Sequence, residues 1–265
     1  MKFQSALQFV HESLTEFQRN GGDLRVSAEV LARLRMTPTR ATPQLESAPP
    51  QMEAEASASK AARLAAFREP VLVCTKCPHL AASRTQVVFG VGNPDAELMF
   101  VGEAPGEDED LQGEPFVGKA GQLLTKIIEA MGVKRADVYI ANVLKCRPNM
   151  PPGESGNRKP RQDEMQTCLP YLRTQIDIIQ PRALVALGAT AMEGLLGEVS
   201  PMNQLRGRWH EFNGIPLMAT YHPAYLLRNQ ALGEKRKVWE DLLMVLERLG
   251  HPISEKQRNF FLTKG

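Results

Sequence analysis

Short, almost continuously apolar segments alternate with longer helical segments from about residue 61 onward, and this alternation limits the possible folds more than any other feature. The apolar segments are residues 97–102, 138–143, 182–188 and 215–222. Helical patterns fall at residues 119–131, 161–179, 189–196 and 235–249. Strands without polar alternation are buried on both faces, which is typical of a mainly parallel sheet covered by helices. The sequence therefore predicts an α/β fold of this kind.

The first 60 residues differ in composition and are predicted to lie outside this core. Apolar residues at helical spacing predict a helical hairpin over residues 1–36. Residues 37–60 are rich in Pro, Ala, Ser and Glu, which is typical of a flexible linker. A core over residues 61–250 and a C-terminal tail over residues 251–265 complete the predicted organisation. Because the hairpin has nearly balanced charge, we expect it to dock a protein partner rather than DNA.

Composition excludes several classes of function. No apolar run reaches the roughly 18 residues that a membrane helix needs, and the first residues mix Glu and His into what would have to be a signal core. We therefore expect a cytoplasmic protein with no membrane contact, acting as a monomer. A net charge of +2 does not by itself indicate a nucleic-acid partner, so any such function must be argued from motifs.

Four cysteines are present, a C-x-x-C pair at Cys74 and Cys77 and two separated residues, Cys146 and Cys168. Disulfides are not expected in a cytoplasmic protein, because the cytosol keeps thiols reduced. Four thiolates suit either zinc or an iron–sulfur cluster, and the spacing does not choose between them. The alternative is four unrelated buried thiols, which a C-x-x-C pair beside Lys and Pro disfavours.

Three groups of Gly, Pro and charged residues directly follow predicted strands, at residues 102–121, 142–148 and 220–228. Ligands of parallel sheets bind beyond the carboxyl ends of the strands, so these segments are expected to form one crevice. Asn142 can present a paired donor and acceptor to a base edge, and His222 precedes a Pro that favours an extended or turn conformation. Taken alone, the first segment is more often a solvated turn than a ligand-binding loop, and Asn142 alone is also compatible with a turn cap. Neither the dinucleotide-binding nor the P-loop pattern occurs in the sequence.

Together these motifs resemble those of the family 4 uracil-DNA glycosylases. In order they are C-x-x-C, GEAPGEDED, PFVGKAGQLL, NVLKCRP, a cysteine in the following helix and YHPAYLLR, and the resemblance covers about residues 68–248. It implies a three-layer αβα sandwich with a short, mainly parallel sheet, here with an N-terminal helical extension. It also implies a structural [4Fe–4S] cluster on the four cysteines, with zinc as the alternative. The implied activity is base excision repair, in which uracil is flipped out of single- or double-stranded DNA and its N-glycosidic bond is hydrolysed.

The resemblance implies pocket roles for five residues. Glu103 and Ala104 would line the sugar and the uracil, and Glu103 would orient the water or stabilise the sugar cation. Glu109 would lie at the C5 side of uracil and help to reject thymine. Phe116 would stack on the flipped base, and Asn142 would bind the uracil edge. Because Ala104 stands where other uracil glycosylases have an Asp, no carboxylate at that position can activate water.

Further along the chain, the resemblance implies that His222 donates to uracil O2 as a neutral imidazole. Leu226 and Arg228 would belong to the loop that enters the duplex and contacts DNA. The sequence departs from the family's pattern in two places. The loop after Cys146 contains an insertion, NMPPGESGN, and the residues before 61 lie outside the resemblance.

Two other classes of function compete with this enzyme. A non-enzymatic DNA-binding or polymerase-associated module would keep the fold and the cluster, but it has no need of Asn142, Phe116 and His222 together. A redox protein would use the cluster for electron transfer. Uracil release that is unchanged by the oxidation state of the cluster would count against the redox protein.

Overall fold

The computed structural model describes residues 59–262, apart from Pro152, Ser155 and Glu198. The hairpin predicted for residues 1–36 and nearly all of the linker predicted for residues 37–60 lie outside the described residues, as do residues 263–265. Within the described ranges, no helix is long and apolar enough to cross a lipid bilayer.

A mixed sheet of six strands forms the centre of the described part. The strands are β1 Val91–Gly92, β2 Leu98–Gly102, β3 Tyr139–Asn142, β4 Ala183–Leu187, β5 Trp209–Phe212 and β6 Ile215–Thr220. In the order β1-β3-β2-β4-β6-β5, the four inner strands are parallel and the two edge strands are antiparallel to their neighbours. The four predicted strands are confirmed. β1 and β5 were not predicted, since β1 has two residues and β5 is largely half-exposed.

Helices connect and cover these strands. They are α1 Lys60–Leu72, α2 Pro78–Ala81, α3 Glu107–Gln112, α4 Lys119–Ala130, α5 Gln162–Ile179, α6 Ala189–Leu196, α7 Met202–Leu205, α8 Pro223–Arg228, α9 Leu232–Leu249 and α10 Glu255–Arg258. The four predicted helices correspond to α4, α5, α6 and α9, although α9 begins earlier than expected. Most of the unpredicted helices have four to six residues, which is too short to show helical periodicity.

Different helices cover the two faces of the sheet. Side chains alternate along β2, so that Met99 and Val101 pack in one hydrophobic cluster while Leu98 and Phe100 pack in the other. The first cluster includes residues of α1, α5 and α6, and the second includes residues of α4 and α9. The predicted αβα sandwich is therefore confirmed.

The C-terminal residues up to 262 are packed rather than separate from the core. The Trp239 indole N–H donates to the Gln257 carbonyl at 2.6 Å, and the Gln257 amide donates to the Ala130 carbonyl at 2.9 Å. The ring of Phe260 also lies 5.2 Å from that of Trp239, centroid to centroid. Residues 251–265 are predicted to form a tail, and the described part of this segment packs against α4 and α9.

The parallel strands bring the three motif segments to one edge of the sheet. Gly102 at the end of β2 pairs with Asn142 at the end of β3, and Leu187 at the end of β4 pairs with Thr220 at the end of β6. Because parallel strands share their carboxyl edge, the chain leaves β2, β3 and β6 on the same side of the molecule. The predicted site residues follow at this edge.

Candidate active site

A cavity of about 350 Å³ opens at the carboxyl edge of the sheet. Its walls are residues 103–106, residues 157–159 and three residues at the start and end of α8, namely His222, Ala224 and Arg228. Of the residues predicted from sequence, Glu103, Ala104, His222 and Arg228 line this cavity directly. The structure thus brings together segments that are more than 100 residues apart in the chain.

His222 is the N-cap residue of α8 and is oriented by the backbone of that helix. Its Nδ1 accepts a hydrogen bond from the Ala224 N–H at 3.1 Å. Nδ1 therefore carries no proton, and the neutral ring keeps its proton on Nε2. Burial, and to a lesser extent the nearby Arg228, lowers the pKa of His222 to about 4. At neutral pH the side chain is an uncharged imidazole with one N–H donor.

Phe116 lies against His222 in an unusual backbone conformation. The two ring centroids are 5.5 Å apart with an interplanar angle of 31°. Phe116 has a φ of 57°, in the left-handed region that residues with side chains rarely adopt, and is 6% exposed. The ring is not itself among the lining residues, but it lies beside His222, which is one of them. A β-carbon on Gly102 would collide with this ring, so glycine is required there.

Asn142 ends β3 with its amide buried beside the Phe116 ring. The residue is 2% exposed, and its Oδ1 has no hydrogen-bond partner among the described residues. The missing β-carbon of Gly102 leaves room for this oxygen as well as for the ring. A buried polar atom without a partner costs about 1–3 kcal/mol, so the fold leaves an acceptor available to a ligand.

Glu103 and Ala104 form the start of the first wall, directly after β2. Burial raises the pKa of Glu103, and a hydrogen bond with Thr190 opposes that shift. Lys159 acts on the carboxylate from the opposite wall by lowering its pKa. Ala104 is half-buried and packs against the core. Glu103 is therefore a partly desolvated carboxyl group in contact with the cavity.

The Glu109 carboxylate accepts hydrogen bonds from backbone N–H groups and does not line the cavity. Its Oε1 accepts from the N–H groups of Val117 and Gly118, both at 3.0 Å, and its Oε2 accepts from the Gly106 N–H at 3.1 Å. The predicted role beside uracil C5 stays a prediction. What the contacts establish is that this carboxylate ties the first wall to the loop that carries Phe116.

Leu226 and Arg228 differ in their exposure. Leu226 is 5% exposed and packs in the second hydrophobic cluster, where it also lines an apolar cavity of about 290 Å³ between α4 and α9. Its neighbour Leu227 is 40% exposed. In this structure Leu227 is therefore the more exposed of the two leucines, and the predicted DNA contact of Leu226 stays a prediction. Arg228 lines the cavity, and its predicted contact with DNA stays a prediction.

The wall formed by residues 157–159 was not predicted as part of the site. Arg158 donates from both terminal nitrogens to the buried carboxylate of Glu164, at 2.6 and 2.9 Å. Burial of Glu164 opposes the shift, but hydrogen bonds from Arg158, the Arg161 backbone and His79 lower its pKa to about 2. This ion pair fixes the inserted loop to α5. The only signal in the sequence is the pair of basic residues that ends the Pro- and Gly-rich insertion.

The four cysteines lie together on the other side of the loop that follows β3, in a region that we call the sulfur corner. Cys74 and Cys77 are half-buried, and Cys146 and Cys168 are buried. Burial raises the pKa of the Cys77 thiol, and the neighbouring Cys146 and Cys74 raise it further. Burial also raises the pKa of the Cys168 thiol to about 12. The structure therefore brings the predicted ligand residues into mutual proximity.

Three of these sulfurs already accept hydrogen bonds. Cys74 Sγ accepts from the Tyr171 hydroxyl at 3.2 Å, Cys146 Sγ from Arg84 at 3.0 Å and Cys168 Sγ from the Lys145 backbone N–H at 3.2 Å. In the part of the chain that the structure describes, no three His, Cys, Asp or Glu side chains are close enough to hold a single metal ion.

This chain is similar to known uracil-DNA glycosylases. The model of the uracil DNA glycosylase superfamily matches residues 89–243. A type-4 uracil-DNA glycosylase of Thermotoga maritima is 46% identical over 66% of this chain and 88% of its own length. One from Archaeoglobus fulgidus is 42% identical over 62% of this chain and 83% of its own length. The type-5 enzyme of Thermus thermophilus is more distant, with 26% identity over 69% of this chain and 97% of its own length.

Proposed function

The chain belongs to the type-4 uracil-DNA glycosylases of the uracil DNA glycosylase superfamily, and we propose that it flips deoxyuridine into the cavity at the carboxyl edge of the sheet. The enzyme removes uracil from DNA in base excision repair. Uracil in a duplex is out of reach of any side chain, so extrusion must come first, at a cost of a few kcal/mol. Phe116 is the residue that we propose to offset part of this cost by stacking on the extruded base, by about 1–3 kcal/mol.

The observation that carries the proposal is the unpaired, buried amide oxygen of Asn142 beside the Phe116 ring. The uracil edge presents an N–H donor between two carbonyl acceptors. We propose that Asn142 Oδ1 accepts from uracil N3–H while its amide nitrogen donates to O4. Cytosine has no proton on N3 and carries an amino group at C4, so it would leave both amide groups mispaired.

His222 supplies the electrostatic part of the proposed mechanism. When the bond between the sugar C1′ and uracil N1 breaks, both electrons leave with uracil, and an oxocarbenium-like sugar remains. A preorganised donor aimed at the developing anion is the largest catalytic contribution expected in such a site. The Nε2–H of neutral His222 is that donor, directed to uracil O2. Water then adds to C1′ and loses a proton to the solvent, and the uracil anion takes up one proton to leave as neutral uracil.

Glu103 is the carboxyl group available on the sugar side. As a carboxylate it would stabilise the sugar cation or orient the attacking water, and its position in the cavity wall supports either role. Ala104 provides no carboxylate of its own. The cavity wall therefore offers one acidic group rather than two for this step.

The sulfur corner is proposed to hold a [4Fe–4S] cluster with a structural role. The donor set fits, because it consists of four cysteines, three of whose sulfurs accept hydrogen bonds from Tyr171, Arg84 and a backbone amide, as cluster sulfurs do. When bound, the cluster would cross-link the segment after α1, the loop after β3 and α5. Zinc is the alternative occupant, distinguished by metal analysis.

DNA contacts are proposed for the rim of the cavity. Arg228 and Lys159 line it and can approach phosphates, and the exposed Leu227 can enter the space left by the extruded nucleotide. The hairpin predicted for residues 1–36 is proposed to dock a protein partner rather than to contribute to this surface.

The direct test is uracil release from oligonucleotides that contain one deoxyuridine in single- or double-stranded form. Alkali cleaves the chain at each abasic site, so strand cleavage after alkali measures excision. His222→Ala purified in parallel controls for contaminating activity, and thymine and cytosine oligonucleotides control for specificity. If the protein binds the uracil duplex and never yields alkali-labile sites, the non-enzymatic DNA-binding module is the better description.

A further inference from the structure

Phe116 is held in its left-handed conformation from several sides. Its φ of 57° is one that side chains disfavour, and nothing in the ring itself stabilises it. The Phe116 carbonyl packs so closely on α4 that a β-carbon at Gly121 would collide with it. The ring position thus depends on contacts made by the backbone of residues 115–118.

Arg135 provides the contacts on the carbonyl side. This half-buried residue begins a 3₁₀ turn, Arg135–Asp137, just before β3. Its Nη2 donates to the carbonyl of Pro115 at 2.8 Å and to that of Phe116 at 3.1 Å. Its Nη1 donates to the Thr125 hydroxyl on α4 at 3.2 Å. A planar guanidinium can bind two consecutive carbonyls and a third acceptor with fixed geometry, whereas a lysine ammonium cannot.

Glu109 provides the contacts on the amide side. Its carboxylate accepts from the N–H groups of Val117 and Gly118, the two residues that follow Phe116. The peptide groups on both sides of Phe116 are therefore bound by charged side chains, one cationic and one anionic. Charge-assisted hydrogen bonds of this kind are stronger than neutral ones, so they can maintain a disfavoured φ.

We propose that Arg135 is a positioning residue that fixes the Phe116 ring for stacking on the extruded uracil, with Glu109 completing the clamp. The inference rests on the proposed function, because it takes Phe116 as the stacking residue. Arg135 itself touches no substrate. It links the start of β3, the strand that ends at Asn142, to the loop that carries the ring, so the two proposed base contacts share one support.

A double-mutant cycle tests the clamp. Single-turnover excision is measured for Arg135→Met, Phe116→Ala and the double variant, together with affinity for duplexes containing uracil or an uncleavable abasic-site analogue. Arg135→Met is expected to slow excision roughly tenfold and to weaken binding of the uracil duplex. Affinity for the abasic duplex should stay within roughly twofold, and in the Phe116→Ala background the same change should cost little more. Arg135→Lys should be intermediate and carries the test if the Met variant does not fold.

Arg182→Met is the matched control, because Arg182 is 60% exposed, pairs with Glu97 and precedes β4 at the opposite edge of the sheet. Arg182→Met should leave the excision rate and the affinities for the uracil and abasic duplexes unchanged. Equal losses from Arg135→Met in the wild-type and Phe116→Ala backgrounds would overturn the clamp while leaving the proposed function in place. So would equal losses on uracil and abasic duplexes. A wild-type protein that releases no uracil would remove both proposals.

Discussion

The proposed uracil pocket and the sulfur corner are joined by the first residues of the loop after β3, since Asn142 ends that strand and Cys146 lies four residues later, yet the polar atoms of the two regions are partnered in opposite ways. Among the described residues, Asn142 Oδ1 has no hydrogen-bond partner. In His222 the hydrogen bond from the Ala224 N–H is made to Nδ1, so that Nε2 is left to donate elsewhere. The corner gives three of its sulfurs hydrogen bonds. We propose that the unpaired atoms of the pocket bind substrate, while the hydrogen bonds to the sulfurs of the corner stabilise the fold. Substitutions in the pocket should therefore change chemistry, and those in the corner should change stability.

Asn142→Asp should produce the largest effect on chemistry. The amide that donates to uracil O4 becomes an acceptor, which repels that carbonyl, so excision of uracil should fall by roughly a thousandfold or more. Preference should shift towards cytosine. Single-turnover rates on uracil and cytosine oligonucleotides measure both changes, and the urea midpoint should move little. Uracil rates like those of the wild type would remove Asn142 from the pocket.

His222→Ala or His222→Asn should have the next largest effect on excision. Loss of one donor to a developing anion typically slows the chemical step by roughly a hundredfold or more. Affinity for uracil-containing DNA should change little, because the charge on uracil O2 appears only as the bond breaks. Single-turnover cleavage and equilibrium binding separate the two quantities. A variant that cuts normally and binds poorly would make His222 a DNA-positioning residue.

Cys168→Ala should change stability more than chemistry, the reverse of what is expected for the pocket variants. Because metal binding by four thiols is coupled to folding, soluble yield and iron content should fall while excision per folded molecule changes only a few-fold. The wild-type protein should be yellow-brown, with iron and sulfide in amounts matching the cluster. Cys77→Ala at the half-buried position gives a matched comparison. Stoichiometric zinc without iron would refute the cluster.

The single-turnover excision rate should depend little on pH near 6.5, where an ordinary histidine would titrate. Since the pKa of His222 is lowered to about 4, the neutral donor persists well below pH 6.5, and single-turnover excision should show no step near that value due to this residue. Stability should behave differently. The unfolded chain binds a proton near pH 6.5 and the folded chain only near 4, so the contribution of neutral His222 is complete above 6.5 and is lost as the pH falls towards 4. Urea unfolding of wild type and His222→Asn across this range measures the difference.

Removal of residues 1–58 should have the smallest effect. Both regions lie within residues 59–262, and Ser59 caps α1, so a chain beginning at Ser59 should keep full activity on short oligonucleotides and its full iron content. Activity of the shortened and full chains on the same substrate makes the comparison. A large loss would show that the first residues contribute to substrate binding or to the core.

The four inner strands, the helices α4, α5, α6 and α9 and the common edge for the motifs followed from the sequence, because apolar runs and strand-end positions depend on local pattern, whereas the 13-residue helix α1 was not predicted. The direction of individual side chains did not follow from the sequence. Leu226 and Leu227 are adjacent and chemically identical, and only packing of α8 on the core decides which is buried. Glu109 lies in an acidic run that gives no sign of which carboxylate binds the Phe116 loop. The wall at residues 157–159 depends on the pairing of Arg158 with Glu164, which the sequence does not predict.

The parallel arrangement of β2, β3, β4 and β6 also bears on when the protein becomes active during its own synthesis. Asn142 and Phe116 can be placed once the strands up to β3 have been made, but His222 follows β6, which pairs with β4 at the far side of the inner sheet. Ribosomes make the chain from the amino end, and long-range parallel pairings form slowly. On the proposed mechanism, a nascent chain therefore makes the Phe116 loop and the Asn142 amide well before the hydrogen-bond donor His222, and it becomes able to cut DNA only after β6 and α8 have docked.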